Sequence, residues 1–307
     1  MIVLTQKADL VDQISFAPTG SLLAVGHNWR YITLWNLRTQ QTVGVIDRDG
    51  GYGRPEFRFH PTQPGIYHLD PYGDAGEVIW IDPFGNDAEH LAEGTGWPEN
   101  VLLTHDANRL LVHDRGYSRF RLFDLTNGIA KQPVWSVPVY SEAARGIRVR
   151  IEFLPGEDRF FVTENHGNTR TRVSVRSLKT GELVATARFP QRETLGLAIS
   201  PDGERAVVVS EMSLFVYDPA KLKSAPLKVK NDNRKHFTAV AFHPSGRYLA
   251  ATSNDATVKL FDTTTWTVAK TYTWDVGRMR SVAFSPDGTL VAAGSDTGKV
   301  VVWDVDL

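Results

Sequence analysis

The chain has 307 residues, of which 42% are hydrophobic and 22% are charged, and its formal net charge is −1. This balance provides no general attraction to nucleic acid or to an anionic membrane, and the absence of cysteine excludes disulfides and thiolate zinc sites. The opening residues, MIVLTQKADL, lack the basic and then apolar pattern of a secretory signal. No run reaches the roughly 18 apolar residues of a membrane span. We therefore expect a soluble, cytoplasmic protein.

A short phrase recurs along the chain, an apolar stretch followed by a turn that contains proline and glycine. It reads QISFAPTG, LAISPDG, AVAFHPSG and SVAFSPDG in successive copies. The turn prolines recur at intervals of 42 or 43 residues, at Pro18 and Pro61 and again at Pro201, Pro244 and Pro286. Self-similarity at this period is typical of propellers and solenoids.

Each copy predicts three successive strands, and the third usually ends in an aromatic residue followed by an acidic one. The seven corresponding positions, of which four have this pattern in full, are Trp35-Asn36, Ile81-Asp82, Phe123-Asp124, Arg176-Ser177, Tyr217-Asp218, Phe261-Asp262 and Trp303-Asp304. A fourth strand is predicted after the first six units, over residues 42–46, 90–93, 134–140, 183–189, 226–230 and 268–274. The first turn of the third unit lacks proline, and we expect it to carry one extra residue within Ala107–Arg109.

The seventh unit has no fourth strand of its own, whereas Ile2–Gln6 is a spare strand near the amino terminus. Pairing the two would close a ring and cover an exposed sheet edge, while an open solenoid would need no such strand. We therefore predict an all-β, seven-bladed β-propeller with four-stranded antiparallel blades. Residues 1–307 would form a single domain in which residues 2–6 complete the blade formed by residues 279–307.

The sixth and seventh units, AVAFHPSGRYLAATSNDATVKLFD and SVAFSPDGTLVAAGSDTGKVVVWD, carry a family resemblance. They resemble the WD-repeat (tryptophan–aspartate repeat) β-propeller family, and the repeat extends the resemblance over essentially the whole chain. Asp255 is the clearest match to the family's buried turn aspartate. The Gly-His pair that opens a typical repeat is missing, and the fourth unit has Arg176-Ser177 in place of Trp-Asp. Bacterial lactonase-like propellers have similar Ser-Pro-Asp-Gly turns.

No catalytic, metal or cofactor pattern stands out. The glycine-rich segment Asp49–Arg54 is followed by proline and a predicted strand, so we interpret it as an interblade loop rather than a phosphate site. His60 and His243 both occupy Phe-His-Pro turns, where hydrogen bonding within the turn accounts for them. His105 and His113 lie on successive strands beside aspartates, and a mononuclear metal site is the alternative to a structural role there.

Two tryptophans, Trp29 and Trp97, do not recur at the repeat interval. In the geometry that the resemblance implies, both belong to loops on the top face of the propeller. Each could anchor a partner, since tryptophan, tyrosine and arginine dominate interface hot spots. Each could equally fold down and cap the ring, and the sequence leaves both interpretations open.

The charges are unevenly distributed along the chain. Residues 59–108 contain no lysine or arginine, while the fourth unit is rich in arginine and a second basic stretch follows at residues 221–235. Solvated outer strands would explain such charges, but opposed patches also steer and orient partners. Arginine can in addition bind a carboxylate or phosphate through two hydrogen bonds.

These observations favour a non-enzymatic scaffold that binds a protein or peptide on the top face of a monomeric disc, without a cofactor. The predicted contact residues are Trp29, Arg30, Trp97, Tyr117, Arg148, Arg170, Arg278 and Arg280. One alternative is a lactonase-like or other small-molecule propeller enzyme. Another is binding of RNA or another polyanion through the basic fourth blade, although nucleic acid and membrane are not the expected partners.

Overall fold

The computed structural model describes residues 1–5, 9–28, 30–47, 56–63, 65–70, 77–81, 88–93, 95–96, 98–139, 148–165 and 171–305. Within these ranges almost all regular structure is β-strand, and one short 3-10 helix, Pro219–Lys221, is present. Among the described residues, no helix has the length and apolar character needed to cross a membrane.

The described strands form seven four-stranded antiparallel sheets. The prediction of an all-β, seven-bladed propeller fold with blades of this type is therefore confirmed. The chain divides into two compact units, residues 1–49 with 194–307 and residues 50–193. A single domain over residues 1–307 stays a prediction.

The unit of residues 1–49 and 194–307 contains blades 1, 5, 6 and 7. Blade 1 consists of β2 (Val11–Phe16), β3 (Leu22–His27), β4 (Tyr31–Asn36) and β5 (Gln41–Asp47). Blade 5 consists of β18 (Gly196–Ile199), β19 (Ala206–Ser210), β20 (Ser213–Tyr217) and β21 (Leu227–Lys230). Blade 6 consists of β22 (Phe237–Phe242), β23 (Tyr248–Ser253), β24 (Thr257–Asp262) and β25 (Thr267–Thr273). Blade 7 consists of β26 (Met279–Phe284), β27 (Leu290–Ser295), β28 (Lys299–Asp304) and β1 (Ile2–Thr5).

The unit of residues 50–193 contains blades 2, 3 and 4. Blade 2 consists of β6 (Phe57–Phe59), β7 (Ile66–Asp70), β8 (Glu77–Ile81) and β9 (Ala88–Ala92). Blade 3 consists of β10 (Pro98–Leu103), β11 (Arg109–Asp114), β12 (Arg119–Asp124) and β13 (Trp135–Pro138). Blade 4 consists of β14 (Arg148–Phe153), β15 (Arg159–Asn165), β16 (Thr171–Ser177) and β17 (Leu183–Arg188). The predicted fourth strands agree with the observed ones to within a few residues.

The amino-terminal strand completes blade 7. β1 pairs antiparallel with β28, with Ile2 opposite Val302 and Leu4 opposite Val300. Leu4 is 3% exposed and belongs to a core cluster with Val11 and both of these valines. The predicted pairing of the two ends of the chain is confirmed, with the strand ending at Thr5 and Gln6 lying outside the described residues.

The cores consist of side chains from the second and third strands, which are buried almost without interruption, as burial on both faces of an inner strand requires. Most of the periodic aromatic residues at the ends of third strands are buried, as predicted for packing residues, including Trp35, Phe123, Tyr217, Phe261 and Trp303. Ile81, which stands at the corresponding place in blade 2, is only half-buried.

Arg176 occupies this aromatic position in blade 4 and is buried there. Its Nη1 donates to the carbonyl oxygen of Gly181 at 3.0 Å and its Nη2 donates to that of Val139 at 2.6 Å. The guanidinium lies 5.2 Å from the centre of the Phe120 ring. A planar cation that stacks on an aromatic face can fill the space of a ring and satisfy carbonyl groups as well. The departure from the repeat is therefore structural.

The turns between first and second strands share one design. In blade 7, Ser285 Oγ donates to Asp287 at 2.6 Å, and the Ser285 N–H donates to the carbonyl oxygen five residues later. Thr104 makes the same two contacts in blade 3, so its turn has the same length. The predicted extra residue is wrong. Ala107 instead takes the left-handed glycine position, at a φ of 59°.

Histidine replaces serine in two of these turns. His60 Nδ1 accepts the Gln63 N–H at 3.1 Å, and His243 Nδ1 accepts the Ser245 N–H at 3.1 Å. The predicted turn role of both histidines is confirmed, because each ring nitrogen satisfies a backbone donor that the turn would otherwise leave unpaired.

Candidate interaction surface

Each blade has two edges that differ in the connections they carry. In an antiparallel sheet of four consecutive strands, the start of the first strand lies at the same edge as the turn between the second and third. We call this the top edge of the blade and the other one the bottom edge. The described members of the predicted contact set all lie at the top edges of their own blades, at Arg30, Tyr117, Arg148, Arg278 and Arg280. Trp29, Trp97 and Arg170 lie outside the described residues.

The top-edge turn of blade 3 is held from below by a buried carboxylate. Asp114 has no exposed surface, and its Oδ1 accepts the N–H groups of Gly116 at 2.9 Å and Tyr117 at 3.3 Å. Arg121 Nη2 lies 2.9 Å from Asp114 Oδ2 and compensates its charge. A Cβ at Gly96 would collide with this carboxylate, so only glycine leaves room for it.

This fixed turn presents Tyr117, whose side chain is 71% exposed. The guanidinium of Arg121 lies 5.6 Å from the centre of the tyrosine ring. Arg115, in the same turn, is 55% exposed and lies 3.9 Å from Glu99. An aromatic side chain is thus held in the solvent by a turn whose backbone is already ordered, which lowers the entropy cost of binding a partner.

A second ordered top-edge site lies in blades 6 and 7. Asp296 Oδ1 accepts the Arg278 N–H at 2.9 Å, while its Oδ2 lies 3.5 Å from Arg280 Nη2. Arg280 Nη1 donates to Asn254 Oδ1 at 2.8 Å. Arg280 is half-buried and connects the top-edge turns of two blades, whereas the side chain of Arg278 is exposed. Within this pair, Arg278 is the residue available to a partner and Arg280 holds the surface in place.

Blade 1 presents Arg30 on a tight turn that begins at His27. His27 is buried, stacks on Tyr31 with ring centres 4.6 Å apart, and has its Nε2 3.0 Å from Thr33 Oγ1. Burial lowers the pKa of His27 to about 4, although the nearby negative charge of Asp9 acts to raise it. The imidazole is therefore neutral at physiological pH. The Arg30 N–H donates to the His27 carbonyl oxygen at 2.9 Å, and the Arg30 side chain is exposed.

Sequence reasoning missed an ionic cluster that joins the first strands of blades 2 and 4. Arg58 donates from Nη2 and Nη1 to the two carboxylate oxygens of Glu152, at 2.7 and 3.1 Å. Its Nη2 also lies 3.4 Å from Glu56, whose other oxygen accepts the Val101 N–H at 3.1 Å. The sequence contains a signal for it, because Arg58 stands between two phenylalanines and Glu152 between two apolar residues in predicted strands.

Burial dominates the electrostatics of this cluster. It raises the pKa of Glu56 to about 7, partly opposed by Arg58 and reinforced by Glu152. Burial likewise raises the pKa of Tyr67 to about 12, and its hydroxyl oxygen accepts the Leu103 N–H at 3.2 Å. The cluster contains one guanidinium and two carboxylates, so one carboxylate has no counter-charge of its own. Glu56 is therefore the group that can bind a proton in the neutral pH range.

The alternative of a metal site at His105 and His113 is not supported by the geometry. The exposed His105 lies in the bottom-edge turn of blade 3, where its N–H donates to both carboxylate oxygens of Glu157 at 2.9 and 3.0 Å. His113 lies at the top-edge end of β11, is 1% exposed and has a pKa lowered to about 3 by burial. The length of β11 separates the two side chains. Across the described positions, no group of three potential metal ligands was found.

The basic fourth blade is less open to a polyanion than its composition suggests. Arg176 is buried, as described above, and Arg159 Nε lies 3.5 Å from Asp158. Arg148 is exposed at the start of β14. Arg145 and Arg170 lie outside the described residues.

Comparison with known proteins places two blades in a defined family. Residues 226–262 and 267–304, which contain blade 6 and the last three strands of the chain, match the family model "WD domain, G-beta repeat". The rat "Ribosome biogenesis protein BOP1" is 24% identical over 311 residues, covering 98% of this chain and 39% of the relative. The human "Serine-threonine kinase receptor-associated protein" is 25% identical over 74% of this chain and 55% of its own length.

A further relative is the "Target of rapamycin complex subunit wat1" of Schizosaccharomyces pombe, 25% identical over 149 residues and 48% of its length. The chain thus spans between two fifths and just over half of the length of these curated relatives. The family match, the seven four-stranded blades and the completion of the last blade by β1 agree with one another. The predicted resemblance to the WD-repeat β-propeller family is therefore confirmed.

Proposed function

We propose that this protein is a non-enzymatic interaction scaffold that binds a partner protein or peptide at the top edges of its blades. The observation that carries the proposal is that two carboxylates, the buried Asp114 and the half-buried Asp296, hold the backbone next to exposed contact residues. Asp114 orders the turn that presents Tyr117, and Asp296 orders the backbone at Arg278. The relatives named as a complex subunit and as a receptor-associated protein support a role in assembly.

The energetic argument rests on preorganisation. Binding ordinarily orders loops and side chains at an interface, at about 0.5–1.5 kcal/mol for each long side chain immobilised. The turns of blades 3 and 7 are already ordered in the free protein, so a partner gains contact area without that cost. Tyrosine and arginine are the residue types that most often dominate binding energy at such positions.

The scaffold is expected to work without a cofactor, and its cytoplasmic location and monomeric state remain predictions. Trp29, Trp97 and Arg170 stay candidates for the same surface on the sequence argument alone. Arg148 is exposed at a top edge in the unit that also carries Tyr117, and Arg30 at a top edge in the unit that also carries Arg278. Arg280 contributes by fixing the turns of blades 6 and 7 rather than by direct contact.

The test compares two double variants in affinity purification followed by mass spectrometry from the source cells. Tyr117→Ala with Arg278→Ala truncates the top-edge contacts. Ile129→Ala with Arg247→Ala truncates a similar exposed area at bottom edges, where Ile129 is 49% exposed and Arg247 is 67% exposed.

The top-edge variant is expected to lose its specific partners at least about fivefold, which corresponds to ~1 kcal/mol, a cost that only a minority of interface residues exceed when truncated. The bottom-edge variant should recover them as the unmodified protein does, and both variants should melt within a few degrees of it. Equal recovery of every partner by both variants would refute top-edge binding.

A further inference from the structure

The outer strand of blade 5 offers an unpaired sheet edge. β21 pairs with β20 on one side, with Lys228 opposite Phe215 and Lys230 opposite Ser213. In the described part of the chain no strand pairs with its other side. Such an edge presents backbone N–H and carbonyl groups that can pair with an added strand.

The segment around this strand is strongly basic, and most of its cations have no ion-pair partner among the described residues. Residues 221–235 contain six cationic residues and one acidic residue, and all six are exposed, namely Lys221, Lys223, Lys228, Lys230, Arg234 and Lys235. Lys221 Nζ lies 3.5 Å from Asp218. The other five make no ion pair with any residue that the structure describes. The exposed charges on and beside β21 are therefore predominantly positive.

A buried lysine adds to this potential from beneath. Lys259, on the third strand of blade 6, is 7% exposed and its Nζ donates to Asn231 Oδ1 at 2.5 Å. The amide nitrogen of Asn231 donates to the Lys235 carbonyl oxygen at 2.8 Å and to Ser253 Oγ at 3.1 Å. No described carboxylate lies within ion-pair distance of Lys259. A buried ammonium without a counterion is costly, and a nearby anion would relieve part of that cost.

We propose that the unpaired side of β21, the outer strand of blade 5, binds an extended acidic peptide segment, which adds a fifth strand to the blade. Lys228 and Lys230 are two residues apart and so point to the same face, where alternate carboxylates of a paired strand would meet them. Arg234, Lys235 and the charge of Lys259 would attract the end of the segment that reaches the top edge. The side chain of Lys228 is already held in position by an aromatic contact, since its Nζ lies 5.3 Å from the centre of the Phe215 ring.

Charge gives this edge its selectivity. Lysines on an edge strand oppose pairing with neutral or basic strands, which protects the protein from aggregation. The same lysines favour a strand that carries carboxylates. A nucleic acid is the less suitable partner, because residues 221–235 include no aromatic side chain on which a base could stack. This surface is separate from the top-edge contacts, so the inference goes beyond the proposed function.

The test measures fluorescence anisotropy of a labelled peptide in which glutamate alternates with threonine or valine. Its matched controls are the same peptide with glutamine for glutamate and one with N-methyl groups on the pairing edge. The protein variants are Lys228→Glu with Lys230→Glu and, with the same charge change, Lys179→Glu with Arg188→Glu at the edge of blade 4. Circular dichroism confirms that each variant is folded.

The acidic peptide is expected to bind the unmodified protein and the blade 4 variant alike, and to bind the blade 5 variant at least about tenfold more weakly. Binding should weaken strongly in about 0.5 M salt, where screening limits charge interactions to a few ångströms. The glutamine and N-methyl peptides should both bind poorly. Equal binding of the N-methyl peptide, or tighter binding of a short oligonucleotide or heparin, would overturn the proposal in favour of a polyanion surface. Equal loss in both protein variants would show that only net charge matters.

Discussion

Replacement of Leu4 by alanine tests whether the amino-terminal strand holds blade 7 together. Leu4 is the one buried residue of β1, where its neighbours Ile2, Val3 and Thr5 are half-buried or exposed. Its side chain packs in the cluster that contains Val11, Val300 and Val302. Large-to-small changes at such sites cost about 2–5 kcal/mol, because a cavity remains where the side chain packed. Since β1 is a short edge strand that can partly relax, we expect about 2–4 kcal/mol.

The matched control is Val3→Ala on the same strand. Val3 is 44% exposed, so its truncation removes little buried area and should cost about 0.5 kcal/mol or less. Native-state hydrogen exchange followed by mass spectrometry is the suitable assay, since a repeat fold can open one blade at a time. The amides of β28 should exchange about 30 to 900 times faster in Leu4→Ala, which is the factor that 2–4 kcal/mol corresponds to at 25 °C.

The same experiment contains its own refutation. If β28 exchanges at the same rate in both variants, β1 does not stabilise blade 7 and the pairing of the two chain ends contributes nothing to the fold. If all described strands exchange faster by one common factor, the blades do not open separately and the loss is global. Deletion of residues 1–7 should produce a larger effect in the same strand and should promote association through the exposed edge of β28.

Three further predictions concern buried groups. Glu56 has a pKa raised from 4.5 to about 7, so the folded protein binds a proton that the unfolded chain releases. The stability that this proton contributes is complete below pH ~4.5 and is lost as pH rises through ~7. In the unmodified protein, the free energy of unfolding measured in urea should therefore fall by about 2–3 kcal/mol between pH 5 and 8. The Glu56→Gln variant should not show this fall. Arg176→Ala should cost about 3 kcal/mol because two carbonyl groups lose their donors, while exposed Lys179→Ala should stay within about 0.5 kcal/mol in the same assay. Gly96→Ala should lower the melting temperature more than Gly128→Ala, since both positions have positive φ but only Gly96 would also force a Cβ onto the buried turn carboxylate of blade 3.

One experimental result would contradict each of these predictions. An unchanged pH dependence in Glu56→Gln would mean that the Arg58 charge outweighs burial at that site. A neutral effect of Arg176→Ala would mean that water replaces its hydrogen bonds. Equal melting temperatures for the two glycine variants would show that the blade 3 turn can shift to accept a methyl group.

Much of the fold was predictable because a propeller blade is a local structure. Strand alternation, tight turns and the repeat interval involve residues close together in sequence, so their patterns are visible without coordinates. The errors arose where one residue type substitutes for another in the same geometry. Ala107 takes a glycine position, and this made a turn of ordinary length look irregular.

The candidate surface was predictable only in part. The sequence placed Tyr117 and Arg278 at the top edges, because strand order decides which turns share an edge. It did not distinguish Arg278 from Arg280, since the difference lies in Asn254 on a neighbouring blade and Asp296 on another turn. An arginine that contacts solvent and one that connects two turns look the same in a sequence.

By itself, the sequence determined the number of blades, most of their strands and the pairing of the spare strand Ile2–Gln6 with the last blade, because the repeat interval and the turn residues follow from backbone geometry over a few residues. Only the tertiary structure decided which charges are compensated. Arg58 and Glu152 are 94 positions apart, and their side chains meet between the first strands of blades 2 and 4. Arg176 can take the place of an aromatic residue because the carbonyl groups of Gly181 and of the distant Val139 accept its hydrogen bonds. Electrostatic energy depends on distance and burial, and neither is encoded in any local stretch of residues.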